Sequence, residues 1–264
     1  NDPKTRSIHK AKVRDRLLHH AIYRVLYSYF DKKFIFDSYS CRNNKGTLRA
    51  VDRLRYLGRK VSKNNTKTVW VLKCDIRKFF ANIDQQILKK ILKRYIQDLD
   101  ILWLLEEVIG SFQTEKSTGL GLPLGNLTSQ LLVNVYMNEF DQFAKHVLKI
   151  KYYIRYADDF VILDTDKNQI LNLLPKIESF LREKLKLMLH PNKVSIKTLA
   201  SGIDFLGWVN FPSHRVLRTS TKKRMLKRLR ESPTEETLNS YLGLIKHGNT
   251  LKLQRQIVKN FVLK

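Results

Sequence analysis

The stretch Tyr152-Tyr153-Ile154-Arg155-Tyr156-Ala157-Asp158-Asp159-Phe160-Val161-Ile162-Leu163 decides how the rest of the chain is interpreted. Two runs of β-branched and aromatic residues flank a small residue and two carboxylates, which predicts a β-hairpin with Ala157-Asp158-Asp159 at its tip. Adjacent acids at the tip of an apolar hairpin repel each other and gain nothing from packing, so a bound cation would compensate them. Solvated acidic turns are also common, so the pair needs support from elsewhere in the chain.

That support comes from an earlier apolar segment, Val69-Trp70-Val71-Leu72-Lys73-Cys74-Asp75-Ile76-Arg77-Lys78-Phe79-Phe80, which delivers one acid at the end of a predicted strand. If this strand pairs beside the hairpin, Asp75 and Asp158 would face each other. Carboxylates in that layout hold two hard cations about 3.5–4 Å apart, which clamp the attacking and leaving oxygens of an in-line phosphoryl displacement. The two segments together predict a two-metal site.

Four motifs, spread over nearly the whole chain, occur in the order seen in reverse transcriptases. They are Asp75 followed by Phe79-Phe80, then Gly121-Leu122-Pro123-Leu124-Gly125-Asn126-Leu127-Thr128-Ser129-Gln130, then Tyr156-Ala157-Asp158-Asp159, and finally Gly202-Ile203-Asp204-Phe205-Leu206-Gly207-Trp208. The chain therefore resembles a reverse transcriptase. It looks most like those of bacterial and phage diversity-generating retroelements, which have an apolar residue, Gly and then Ser-Gln in the second of these motifs. Relatives from group II introns and retrons usually have Gln-Gly and Ser-Pro there.

The resemblance implies an α+β fold of the right-hand polymerase type, with an antiparallel palm sheet and a helical thumb. It divides the chain into fingers (residues 1–67 and 84–119), palm (68–83 and 120–212) and thumb (213–264). Apolar spacing predicts helices over residues 13–30, 48–61, 101–112, 128–148, 170–187, 235–245 and 251–263, with one more after residue 84. A strand is predicted to begin within residues 189–194. The first residues resemble the middle of a fingers region, so we expect the chain to lack part of a native N terminus.

The composition is strongly basic. Fifty Lys and Arg residues against 24 acids leave a formal net charge of +26, which is self-repulsive unless a polyanion is bound. No stretch approaches about 18 continuous apolar residues and no signal peptide opens the chain, so nucleic acid is the better partner than membrane lipid. The two cysteines, Cys41 and Cys74, show no zinc spacing with histidine. We expect reduced thiols in a bacterial cytoplasm.

The resemblance assigns catalytic and metal-binding roles. Asp75 and Asp158 would ligate two Mg²⁺ ions, Asp159 would support them, and the carbonyl of Ile76 would join them. Lys193 matches a family lysine proposed as the acid that protonates the departing pyrophosphate. An exposed lysine is more commonly only a surface charge.

The resemblance also assigns contacts with the incoming nucleotide. Arg6 would reach the triphosphate, although its segment also suits a solvated basic strand. Phe80 would lie under the sugar and exclude a 2′-hydroxyl, with Phe79 as its packed neighbour, although Phe most often belongs to a core. The remaining substrate-binding candidates are Ile76, Leu124, Gly125, Gln130 and Tyr156.

Leu124 is the candidate that bears on fidelity. Most relatives have Gln there, which hydrogen-bonds the substrate, whereas Leu cannot. Losing one polar positioning contact relaxes discrimination by about 1–3 kcal/mol. We therefore expect a low-fidelity enzyme, consistent with the adenine-directed mutagenesis that the resemblance implies. The alternative is that Leu124 packs against a base as well as Gln would.

Three segments are candidates for nucleic-acid contact. Arg42 and Lys45 lie among interleaved aromatic and basic residues, which suit stacking and phosphate contact but also suit a surface turn. Gly207 and Trp208 match the primer grip, although Trp208 also suits a core. From His214 to Arg230 the chain carries eight cations and no acid, among them Lys222, Lys223 and Arg224, which favours phosphates over a merely solvated helix face.

These expectations lead to an RNA-directed DNA polymerase that copies template RNA from a DNA or RNA primer with dNTPs. By resemblance we expect a structured retroelement RNA and a small basic accessory protein as partners. Two alternatives stay open: a group II intron, retron or defence-associated reverse transcriptase, and a non-catalytic RNA-binding protein on a polymerase scaffold.

Overall fold

The computed structural model describes residues 11–111 and 118–261. Its helices are α1 (Val13–Phe30), α2 (Thr47–Val61), α3 (Gln85–Lys93), α4 (Leu99–Gly110), α5 (Leu127–Gln142), α6 (Lys167–Leu185), α7 (Thr219–Glu231), α8 (Glu235–Ile245) and α9 (Leu251–Phe261). Its strands are β1 (Trp70–Asp75), β2 (Tyr153–Tyr156), β3 (Asp159–Asp164), β4 (Ser195–Thr198), β5 (Ile203–Phe205), β6 (Trp208–Asn210) and β7 (Arg215–Leu217). None of the helices in these two ranges has both the length and the hydropathy to cross a membrane.

A four-stranded sheet forms the centre of the molecule. Its strand order is β2-β3-β1-β4, and every neighbouring pair is antiparallel. The predicted hairpin is present, because β2 and β3 pair from Tyr153↔Ile162 to Tyr156↔Asp159. Strand β1 lies directly beside it, as required for the predicted carboxylate cluster.

Alternation along the strands divides the core between the two faces of this sheet. On one face, Leu72, Phe160 and Ile162 pack into a cluster that includes residues of α1, α5 and α6. On the other face, Val71, Val161 and Leu163 pack against α2 and the second sheet. Since side chains two residues apart share a face, Lys73 and Asp75 lie on the second face with Val71.

A smaller antiparallel sheet, with order β5-β6-β7, connects the centre to the last three helices. Its buried residues Phe205 and Trp208 belong to the same core cluster as Leu229 of α7, Ile245 of α8 and Ile257 of α9. The C-terminal helices are therefore packed on this sheet rather than suspended from it.

Two sequence predictions of secondary structure were wrong in detail. The long helix predicted to residue 148 is α-helical only to Gln142 and continues as a π-helical turn over Phe143–Val147. The segment predicted to begin a strand contains a 3₁₀ turn at Pro191–Lys193, and β4 starts only at Ser195. Proline fixes φ and lacks a backbone donor, which suits a turn better than a central strand.

Candidate active site

Three acids meet where β1 ends beside the β2–β3 turn. Asp75 is the direct partner of Asp159 in the antiparallel ladder, and the amide of Ile76 donates to the carbonyl oxygen of Asp158 at 3.2 Å. The prediction that Asp75 faces Asp158 was therefore off by one residue. The turn consists of Ala157 and Asp158 alone, since Asp159 already belongs to β3.

Two lysines balance these acids. The Nζ of Lys193 donates to Oδ2 of Asp75 at 2.8 Å, and the Nζ of Lys73 lies 3.4 Å from Oδ2 of Asp159. Burial raises the pKa of Asp159 to about 7; Lys73 opposes this rise, and the charges of Asp75 and Asp158 add to it. The remaining oxygen of Asp159, Oδ1, is buried and has no hydrogen-bond partner within the described chain.

The chemistry of these donors fits a hard divalent cation. A crowded set of carboxylates with one unpartnered buried oxygen is stabilised by positive charge, and carboxylate oxygens are the ligands that Mg²⁺ prefers. Within residues 11–111 and 118–261, no group of three or more His, Cys, Asp or Glu side chains has the arrangement of a metal cluster. The acids therefore fit Mg²⁺ by chemistry and charge, whereas the two lysines now supply the neutralising cations.

Ile76 has the position that its expected role needs. It directly follows Asp75 and is buried, and its amide is bonded to the turn. Two adjoining backbone hydrogen bonds leave the Ile76 carbonyl unused. The His190 amide donates to the Asp75 carbonyl at 2.7 Å, and the Arg77 amide donates to the Met188 carbonyl at 2.9 Å.

An open groove leads to the acids. It has a volume of about 480 Å³, and the residues that line it include Lys73, Asp75, Asp159, Lys193, Asp204 and Arg218. Arg218 forms an ion pair with Asp204. Asp75 and Asp159 are thus accessible from a groove that also contains several cations.

The predicted nucleotide side of the site is assembled around Phe80. Phe79 is buried in the core, whereas Phe80 is half-buried, and the two rings are perpendicular with centroids 5.6 Å apart. The amide of Leu122 donates to the Phe80 carbonyl at 2.9 Å, so the loop that carries Leu124 runs beside Phe80.

The remaining residues predicted to contact the nucleotide differ in their exposure. Leu124 is half-buried, and Gly125 is exposed with φ 108°, a conformation that strongly favours glycine. Gln130 is half-buried in the first turn of α5. Tyr156 lies opposite Asp159 in the ladder, and its hydroxyl accepts from the Thr47 hydroxyl at 3.3 Å. Arg6 lies outside the described residues.

Arg42 does not have the exposed position expected of a template contact. Only 7% of its side chain is exposed, and its guanidinium donates to the Asp31 carboxylate at 2.6 Å and to the carbonyls of Ile35 at 2.7 Å and Ser38 at 3.0 Å. These bonds use the side chain to hold the loop after α1, so the structure gives it a structural role. Lys45 is half-buried; its Nζ lies 3.6 Å from the centroid of the exposed Phe36 ring and donates to the Phe36 carbonyl at 2.8 Å.

Trp208 was also wrongly expected to contact nucleic acid. It is 1% exposed and belongs to the core beneath the C-terminal helices, because the alternation of β6 turns it inward. Gly207 is at the tip of the β5–β6 hairpin with φ 85°, and its carbonyl accepts from the Arg218 amide at 3.0 Å. The hairpin predicted for the primer grip is therefore present, with its tip rather than Trp208 available to a ligand.

The cations of α7 are placed as predicted. Met225 and Leu229 bury one side of the helix, and Lys222, Lys223 and Arg224 are exposed on the others. Lys222 also lines a cavity of about 700 Å³ together with Lys252 and Arg255 of α9. The helix presents a basic surface to solvent, as phosphate binding requires.

Sequence reasoning missed three residues of the site. Lys73 was treated only as part of a strand, although its position two residues before Asp75 places both on one face. Arg155 and Asp141 form an ion pair at 2.6 Å in which both side chains are completely buried. The sequence signal for Arg155 was a charged residue inside an apolar strand, whereas Asp141 lies among Asn138, Glu139 and Gln142 and does not stand out.

A comparison with protein-family models places the chain in a known group. Residues 1–209 match the model described as reverse transcriptase (RNA-dependent DNA polymerase). The chain belongs to the reverse transcriptase family. Its enzyme class is RNA-directed DNA polymerase, and enzymes of this family generally use divalent metal ions and bind an RNA template and a primer.

Curated relatives of this reverse transcriptase are distant. Protein YkfC of Escherichia coli is 24% identical over 263 residues, which cover 86% of the chain and 67% of the relative. The group II intron-encoded protein LtrA of Lactococcus lactis is 22% identical over 290 residues, covering 85% of the chain and 47% of LtrA. The chain thus spans about half to two thirds of the length of these relatives.

Solved structures confirm the fold of this reverse transcriptase. Apo telomerase from Candida tropicalis superposes with a TM-score of 0.60 at 12% identity, covering 80% of the chain and 42% of that structure. Telomerase from Candida albicans in complex with a telomeric RNA fragment gives a TM-score of 0.56 at 12% identity, covering 93% of the chain and 47% of that structure. The predicted α+β right-hand polymerase fold is confirmed, whereas the residue boundaries of fingers, palm and thumb stay a prediction.

Proposed function

We propose that this reverse transcriptase copies an RNA template into complementary DNA by two-metal nucleotidyl transfer. The observation that carries the proposal is the meeting of Asp75, Asp158 and Asp159 at one end of the central sheet, where Asp75 and Asp159 line a groove that also contains cations. Asp75, Asp158 and Asp159, with the Ile76 carbonyl, would hold the Mg²⁺ ions. Bound there, the ions would lower the pKa of the primer 3′-hydroxyl and neutralise charge on the triphosphate.

The chain's own residues supply the other requirements of the reaction. Lys193 is held at the site by its 2.8 Å bond to Asp75, and from there it can give a proton to the departing pyrophosphate. Phe80 and the loop carrying Leu124 form one side of the nucleotide pocket. The tip of the β5–β6 hairpin at Gly207 would seat the primer end, and α7 would bind phosphates of the duplex. Lys45, Gln130, Tyr156 and Arg6 are the remaining proposed contacts.

We further propose that the enzyme belongs to the diversity-generating type and is error-prone at template adenines. The support is the sequence Leu124-Gly125 with Ser129-Gln130, because a half-buried Leu beside the Phe80 loop cannot offer the hydrogen bond of a Gln. A structured retroelement RNA and a small basic accessory protein would be its partners. The relation to LtrA favours a group II intron enzyme as the alternative. Sequencing cDNA made from a mixed-base template separates the two, since only the diversity-generating type concentrates errors opposite adenine.

Replacing Leu124 by Gln is expected to lower misincorporation opposite adenine by about 5- to 100-fold, because the new amide restores a polar contact worth about 1–3 kcal/mol. The measurement is the ratio of incorrect to correct single-nucleotide incorporation on an adenine-containing RNA template. Leu124→Met is the matched control, since it preserves apolar packing and should leave the ratio unchanged. An unchanged error rate in Leu124→Gln contradicts the role given to this side chain.

Replacing Lys222, Lys223 and Arg224 by Gln in one triple variant is expected to weaken binding of an RNA–DNA duplex and to reduce the salt dependence of that binding. Each lost phosphate contact removes about 0.7–0.9 from the slope of log K against log salt, so three contacts remove about 2–3. Duplex affinity measured over a salt series checks this. Triple replacement of Lys176, Arg182 and Lys184 by Gln is the control, since these exposed cations belong to α6 on the other face of the sheet. Equal slopes for both triple variants would remove α7 from the binding surface.

A further inference from the structure

We propose that the buried Arg155 is a positioning residue that sets the direction of the Asp158 carboxylate. Arg155 lies two residues before the turn and has no exposed surface, so it cannot touch template, primer or nucleotide. Its effect on the reaction must therefore be exerted through other atoms of the chain. The inference rests on the proposed function of Asp158.

Every donor of the Arg155 guanidinium is used. Nε and Nη2 donate to the two oxygens of Asp141 at 2.8 and 2.6 Å, and Nη2 also donates to the Ser38 hydroxyl at 3.1 Å. Nη1 donates to Oδ1 of Asn134 at 3.3 Å and to the carbonyl oxygen of Ala157 at 3.0 Å. A guanidinium has five N–H donors in a fixed plane, and these five bonds account for all of them.

The bond to Ala157 reaches the catalytic turn. Ala157 has φ 53°, in the left-handed region that non-glycine residues rarely occupy, so this conformation needs support from its surroundings. Its carbonyl group lies in the same rigid peptide plane as the amide of Asp158. Holding that oxygen therefore fixes the orientation of the plane on the N-terminal side of Asp158.

The plane on the C-terminal side of Asp158 is held independently. Its carbonyl oxygen accepts from the Ile76 amide of β1 at 3.2 Å. With one plane fixed by Arg155 and the other by β1, the two backbone torsions of Asp158 are determined, and its Cβ points in one direction. Since Asp75 is also part of β1, the same strand sets the second carboxylate of the site.

The cost of burying this ion pair argues that its purpose is geometric. Replacing a buried pair by apolar residues of similar volume is often neutral or stabilising, so such a pair is weak support for a fold as a whole. Asp141 lies on α5, in which twelve of sixteen residues are buried, and Asn134, about two turns earlier on the same helix, donates to the loop carbonyl of Ser40 at 2.9 Å. Arg155 thus transmits the position of a rigid helix to the turn.

Tyr153 provides a matched control from the same network. Its hydroxyl donates to the same Asp141 oxygen at 2.6 Å and the side chain is equally buried, but it makes no bond to the turn. Burial raises the pKa of this hydroxyl well above its ordinary value, and the neighbouring Asp141 adds to the rise, so it remains a protonated donor. Tyr153→Phe therefore disturbs Asp141 without touching Ala157.

The test uses three variants: Tyr153→Phe, Arg155→Lys, and a double variant that carries both Arg155→Met and Asp141→Leu. The double variant removes both charges of the buried pair, so it is expected to fold even if Arg155→Lys does not. The first readout is hydrogen–deuterium exchange of the peptide covering residues 152–162. We expect exchange at residues 156–159 to rise about tenfold or more in both Arg155 variants and to stay unchanged in Tyr153→Phe. This readout needs no activity, so it decides the positioning role even if the proposed function fails.

The second readout separates rate from binding. The single-turnover extension rate of the Arg155 variants is expected to fall about 30- to 100-fold, as for a misplacement of about 1 Å, while the primer–template Kd changes less than about threefold. Tyr153→Phe should extend within about twofold of the parent, whatever its melting temperature. The proposal is overturned if turn exchange in the Arg155 variants matches the parent. It is also overturned if Tyr153→Phe loses rate as they do, or if their rate loss is accounted for by the unfolded fraction.

Discussion

Asp158→Asn is expected to abolish primer extension, lowering the single-turnover rate by at least about 10³-fold, while RNA–DNA duplex affinity changes by less than about threefold. The physical reason is that Asn is nearly isosteric with Asp but removes the negative charge that would hold a cation beside Asp75 and Asp159. Duplex binding is proposed to depend on the separate cations of α7, so we expect the substitution to leave it unchanged. Extension by the purified chain on a defined RNA template and DNA primer, with duplex affinity measured in parallel, checks both halves.

The matched control is Asp164→Asn. Asp164 lies at the far end of β3, opposite Trp70 rather than Asp75, so the charge change is identical and the site is untouched. Extension by Asp164→Asn should equal that of the parent chain. If Asp158→Asn extends primers as well as this control, the catalytic site is wrongly assigned. If neither the parent nor the control extends primers while both bind RNA, the non-catalytic RNA-binding alternative gains support.

Phe80→Ala is expected to admit ribonucleotides, reducing the preference for dNTPs over rNTPs by about 10- to 200-fold. The ring is half-buried beside the loop that carries Leu124, where it can exclude a 2′-hydroxyl by steric contact. Excluding the wrong substrate by a clash is a repulsive form of specificity, so truncation is expected to remove it without disturbing the acids proposed to bind Mg²⁺. The measurement is the ratio of kcat/KM for a dNTP and the matching rNTP.

Phe80→Tyr is the control for this second effect, because it keeps the ring and should retain the preference. Phe79 cannot serve as the control, since it is buried in the main core and its truncation costs stability. A preference that survives in Phe80→Ala at the parental level would assign the side chain to packing alone.

Sequence patterns predicted the parts of the fold that depend on local spacing. Helix α1 occupies the predicted residues Val13–Phe30, and α8 the predicted Glu235–Ile245, because each shows apolar residues at helical intervals. The antiparallel pairing of β1 with the hairpin was also predicted, because both apolar segments end in acids that a shared cation would compensate. The spacing of apolar residues and the positions of the acids were sufficient to predict these elements.

The errors arose where distant contacts decide the outcome. Arg42 is paired with Asp31 and nearby carbonyls, and no local pattern distinguishes such an arginine from one that contacts a template. Trp208 is buried because residues of α7, α8 and α9 pack around it, and the sequence of β6 alone does not predict this packing. Arg155 and Asp141 are 14 residues apart and meet only when β2 packs against α5. The one-residue shift of Asp158 likewise depended on the length of the turn.

The short connection between the β5–β6 hairpin and α7 has a mechanical consequence. The Arg218 amide is bonded to the Gly207 carbonyl, and the Arg218 side chain is paired with Asp204, so the hairpin tip and the first turn of the basic helix are one rigid piece. If the tip seats the primer end and α7 binds duplex phosphates, as proposed, the protein would fix the distance between a bound phosphate and the 3′ end of the primer. Addition of each nucleotide would then require the whole duplex to move past this rigid unit.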